Sequence, residues 1–72
     1  MPNVKDTKIG VADPIRGGVY SNIANVHVSK NEVMIDFIFN APNEAILVSR
    51  VILPIEHARS LKEVLVNLLK DK

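Results

Sequence analysis

From Val19 onward the apolar residues fall into regular patterns, and these patterns define the elements. The runs SNIANVHVS, EVMIDFIF and AILVSRVIL alternate or cluster β-branched and aromatic residues, as strands do. A helical period follows from Ile55 to about Lys70. The predicted fold class is therefore α+β: a three-stranded antiparallel β-meander followed by one C-terminal amphipathic helix packed on one sheet face, in the order β-β-β-α. Residues 1–18 lack such a period. Their apolar positions (Val4, Ile9, Val11, Ile15) are irregular, and Pro2, Pro14 and Gly17-Gly18 interrupt them. This segment reads as a flexible N-terminal arm able to add as an edge strand in an assembly, and 19–72 reads as a single β-β-β-α domain.

The turns assign side chains to faces. Lys30-Asn31 has the length of a two-residue hairpin turn, with Asn31 suited to a left-handed conformation. That register sets Val28 against Val33, Val26 against Ile35 and Ala24 against Phe37, so these residues and Phe39 share one apolar face. A five-residue second turn, Asn40 to Glu44 around Pro42, adds Ala45, Leu47, Ser49, Val51 and Leu53 to it. This is the face expected to meet the helix. The opposite face then carries Ile23, Asn25, His27, Ser29, Met34, Asp36, Ile38, Ile46, Val48, Arg50 and Ile52, an unusual mixture for a surface in water.

The stretch RVILPIEHARSL, from Arg50 to Leu61, gathers an acid, a histidine and two arginines where the third strand ends. Its architecture explains it better than chemistry does. Pro54 or Ile55 starts the helix, where a missing N–H is harmless, and Glu56 suits the positive end of the helix dipole. His57 falls at the edge of the apolar arc formed by Ala58, Leu61, Val64, Leu65, Leu68 and Leu69, and is expected to be a half-buried packing residue. A metal site made from His27 and His57 is excluded by their placement on opposite sides of the sheet. No phosphate-binding loop, nucleophile with its base, or suitably spaced carboxylate pair is present, so no catalytic residue, cofactor or metal is expected.

Composition narrows the setting. At 72 residues, 47% hydrophobic and 24% charged, the chain is near the size at which one core barely offsets the entropy of folding. Cysteine is absent, so no disulfide assists, in keeping with a cytoplasmic location. The net charge of +1 gives no strong field for phosphate backbones, and nucleic acid is not an expected partner. No apolar run approaches the roughly 20 residues that cross a bilayer, and no export leader opens the sequence.

Tyr20-Ser-Asn22, then Ile35-Asp36-Phe37, then Ser49-Arg50-Val-Ile-Leu-Pro-Ile-Glu56-His57-Ala58-Arg59-Ser-Leu61 resemble the pattern of the small bacterial proteins of domain of unknown function family 3467. The similarity runs from about Val19 to Leu69, and the R-V-I…E-H-A-R/K-x-L block is its most specific part. In this chain Pro54-Ile55 replaces the family's Ser-Pro before Glu-His, which removes a serine N-cap. The resemblance implies a sheet followed by a helix, in a bacterial or phage-associated setting, and it implies no reaction.

Function must then come from surfaces. A helix about 24 Å long covers one face of a three-stranded sheet. The second face keeps Ile23, Met34, Ile38, Ile46, Val48 and Ile52, worth about 1.5 kcal/mol each if buried, or on the order of 9 kcal/mol together. Self-association through Ile23, Met34, Asp36, Ile38, Ile46, Val48, Arg50 and Ile52 is the expected sink, with Asp36 and Arg50 as an ion pair that sets register. Three classes stay open: a homodimeric or larger homo-oligomeric structural module without catalysis, a peptide- or client-binding adaptor using a face or a free strand edge, and a weak nucleic-acid-binding dimer using Arg16, Lys30, Arg59 and Lys62.

Overall fold

The computed structural model describes residues 8–72. The first part of the expected arm, residues 1–7, lies outside them. Three antiparallel strands, β1 (Ile23–Val28), β2 (Glu32–Ala41) and β3 (Glu44–Pro54), form one open sheet in sequence order, and the helix α2 (Ile55–Leu69) follows directly. A single helical turn, α1 (Asp13–Arg16), precedes them. Sequence reading did not anticipate α1, in which Pro14 suits the first turn and an exposed 3.3 Å Arg16–Asp13 contact spans i to i+3. α1 buries no residue and packs on no other element.

The β1–β2 register is the expected one, including Val28 with Val33, Val26 with Ile35 and Ala24 with Phe37. Its turn closes differently. No non-glycine residue among those described has a positive φ, so Asn31 does not take the left-handed conformation that a mirror-image turn requires. Instead the Ser29 hydroxyl donates to the Glu32 carbonyl at 3.1 Å and accepts the Glu32 N–H at 3.3 Å, while the Ser29 N–H donates to the same carbonyl at 2.9 Å. A serine side chain thus does locally what a positive φ does elsewhere.

The second turn corrects the expected register. Only Pro42 and Asn43 separate the strands, not five residues, and the ladder recovers through a bulge between Phe37 and Ile38. Ser49 pairs with Phe37 and Leu47 with Ile38, so Val48 is the extra residue. Beyond the bulge the alternation is inverted. Ile46, expected on the second face, pairs with Phe39 on the helix side, and Leu47 takes its place across from Ile38. A bulge shifts phase by one residue, and one residue exchanges faces.

At the start of β1, Asn22 extends the ladder with its side chain. Its Nδ2 donates to the Asn40 carbonyl at 3.0 Å, and its Oδ1 accepts the Asn40 N–H at 2.8 Å. A carboxamide carries the same donor and acceptor as a peptide group, so Asn22 stands in for another residue of backbone. Tyr20 meets Phe39 edge to face, with centroids 5.8 Å apart at 75°. Together these contacts give the Tyr20-Ser-Asn22 motif a structural role. Asn22→Ala should lower stability by about 1 kcal/mol and speed hydrogen exchange at the Asn40 amide; unchanged protection there would show that the clasp is idle.

The start of α2 shows how the missing serine cap is replaced. Pro54 occupies the N-cap in extended conformation without a side-chain bond, and the Ile55 N–H donates to the Asn31 carbonyl at 3.1 Å. One of the helix's unpaired donors is met by the first hairpin turn. This contact anchors the start of the helix beside Val33 and Leu53, the only two buried hydrophobic residues among those described, each 8% exposed.

Candidate interaction surfaces

On the second face the side chains form rows across the three strands: Ile23, Ile38 and Leu47; Asn25, Asp36 and Arg50; His27, Met34 and Ile52. Asp36 and Arg50, expected as near neighbours on this face, are direct cross-strand partners. Arg50 Nε donates to Asp36 Oδ1 at 2.6 Å and its terminal nitrogen to Oδ2 at 2.9 Å, a bidentate fork. The Asp36 side chain is 13% exposed and that of Arg50 is 51% exposed, so the aspartate is sheltered and the guanidinium reaches solvent.

The hydrogen bond from Arg50 is the main cause holding the Asp36 carboxyl below its ordinary 3.8; desolvation opposes it, and the charges of Arg50 and His27 assist. A depressed folded value means a stability contribution that is present above the unfolded pKa and disappears as pH falls through the folded one. The fold should therefore lose this contribution progressively as pH falls through the ordinary carboxylate range and below it. Acid titration followed by circular dichroism checks it: Asp36→Asn should remove part of the acid limb, and an unchanged limb would show that the pair does not contribute.

A second unclaimed apolar surface lies on the other side. α2 approaches β2 and β3 and leaves β1 clear. Between helix and sheet opens an apolar groove of about 670 Å³, walled by Val26, Val33, Ile35 and Leu53 from the sheet and by Ala58, Leu61, Leu65, Val66 and Leu69 from the helix. Of the residues predicted to face the helix, Val26, Val33, Ile35 and Leu53 do line the groove, whereas Ala45 and Leu47 lie on the opposite face, and the helix leans away. Exposure rises along its groove-facing row from 38% at Leu61 to 46% at Leu65 and 56% at Leu69. His57, expected to be half-buried, is exposed in the first turn of α2.

The remaining polar groups of the Arg50–Leu61 stretch stay at the surface. Glu56 and Arg59 form an exposed i,i+3 contact of 3.5 Å, a pairing worth little. Among the described residues no group of three or more His, Asp or Glu side chains stands close enough to hold a metal ion, and no helix is long and apolar enough to cross a membrane. The groove itself was not expected from the sequence, although the excess apolar surface of the helix was legible there. The apolar arc of α2 spans about 200° at 100° per residue, twice the stripe that docking on one sheet requires.

The sequence profile of a family described as a protein of unknown function, DUF3467, matches residues 1–71. The chain belongs to this family. The match extends beyond the resemblance read from Val19 to Leu69 and takes in the segment before β1. No curated protein and no solved structure matches the chain. The DUF3467 assignment names no reaction or ligand, so the surfaces of the fold carry the functional argument.

Proposed function

We propose that this DUF3467 chain is a homo-oligomeric structural or interaction module, working in the cytoplasm without catalysis. The observation that carries this is surface area. The chain exposes 6620 Å², against ~4,450 Å² for a compact protein of 8.0 kDa. Its radius of gyration is 14.7 Å, against ~11 Å for a compact domain of this length. The exposed residues from Lys8 to Tyr20 contribute to this area, and large apolar side chains of the sheet and helix stay exposed as well, among them Val26, Ile52, Leu65 and Leu69. The share of this excess that lies on the sheet and helix is apolar surface of the kind that obligate interfaces cover. A domain with only two buried residues among those described gains further core most directly from a second copy.

Sedimentation of the parent chain at micromolar concentration tests this reading: a dimer or larger assembly is expected, and a stable monomer would end it. An adaptor role for a peptide or other protein is a second reading. It is favoured by the sheet order, which leaves one edge of β1 and one edge of β3 unpaired.

A further inference from the structure

We infer that the groove between sheet and helix is filled by α2 of a second copy, the two helices lying antiparallel between two sheets. This rests on the homo-oligomeric reading and deepens it by naming the contact. An arc of about 200° is too wide for one sheet, but it suits a helix that touches its own sheet, the partner's sheet and the partner's helix. The two walls of the groove are both aliphatic, and Lys62 and Lys70, which also line it, have stems long enough to hold their charges at the rim. The groove widens toward the C-terminal end of α2, as the rising exposure from Leu61 to Leu69 shows. An incoming helix therefore has space beside α2 where α2 leaves its own sheet.

Symmetry then sets the register. In a two-fold contact the residue on the axis meets its own copy. Leu65 lies near the centre of the apolar arc and midway along the row Leu61, Leu65, Leu69. With Leu65 on the axis, Leu61 of each chain meets the partner's Leu69. Each helix then covers the part of the other that the sheet leaves open, and Val26 and Ile35 gain a cover that their own helix does not supply.

The absence of native cysteine makes cross-linking unambiguous. Leu65→Cys in the full chain, treated with mild oxidant or a short bismaleimide, should give a covalent dimer. A mixture of Leu61→Cys and Leu69→Cys chains should give a mixed dimer in excess of either homodimer, which guards against Leu65→Cys failing to assemble. Ile52→Cys on the opposite face should remain uncross-linked. A parent that sediments as a dimer but cross-links only through Ile52, or at none of these sites, overturns the helix contact and leaves the oligomer standing. A parent that sediments as a monomer overturns both. A monomer that carries a co-purified apolar molecule or peptide in native mass spectrometry assigns the groove to that ligand instead.

Discussion

Leu53→Ala is expected to lower the melting temperature by about 10–20 °C, the largest effect of any single truncation in the sheet. The side chain closes the junction of β2, β3 and α2 against Val33, and those two residues are the only buried apolar ones among those described. Removing a buried leucine costs about 2–4 kcal/mol, because the transfer term is joined by a cavity that neighbours only partly fill. A domain of this size has about 4–10 kcal/mol in total. At about 4–8 °C per kcal/mol, the loss accounts for the expected shift. Val19→Ala is the control, since Val19 is 66% exposed and should change stability by less than about 0.5 kcal/mol. Both are read by thermal circular dichroism at one fixed protein concentration, because assembly makes the transition concentration-dependent. A Leu53→Ala transition within a few degrees of the parent would mean that the junction is not the core.

Leu65→Asp should abolish assembly at micromolar concentration. On the two-fold axis the substitution sets two carboxylates against each other in an apolar contact. One unpaired buried charge already costs several kcal/mol, and a loss of only ~3 kcal/mol weakens association more than ~100-fold. The fold around Val33 and Leu53 lies at the other end of the groove, so the early loss should appear in sedimentation, with helical signal partly retained. Asn67→Asp is the matched control, on the polar side of α2, and should assemble as the parent does. The reciprocal change Ile38→Asp tests the opposite sheet face: dissociation by Ile38→Asp but not by Leu65→Asp would move the interface to the face bearing Asp36 and Arg50.

Much of the architecture was legible because it depends on local periodicity. Alternation in SNIANVHVS and EVMIDFIF, with a two-residue turn between them, placed Val28 beside Val33 and Asn25 beside Asp36. Asp36 and Arg50 were legible as near neighbours on one face, because the tight turn and the bulge together shift the register by two residues, which leaves the face unchanged. Closer to that turn the reading failed. Pro42-Asn43 is as compatible with a long loop as with a tight one, and a tight one requires Val48 to leave the ladder. The exchange of Ile46 and Leu47 between faces follows from that single residue.

The sequence by itself determined the element order, the first register, the ion pair and a helix too apolar for one neighbour. Those properties depend on the spacing of side chains along a chain of known period. Only the tertiary structure decided where that excess apolar surface lies. The angle at which α2 leaves β3 is set by contacts between residues far apart in sequence: Ile55 with the carbonyl of Asn31, and Val33 with Leu53. Periodicity shows which side of a helix is apolar, but not how closely that side approaches a sheet. That distance opens the groove on which the proposed helix contact rests, and Ile38→Asp against Leu65→Asp decides between that contact and the Asp36–Arg50 face.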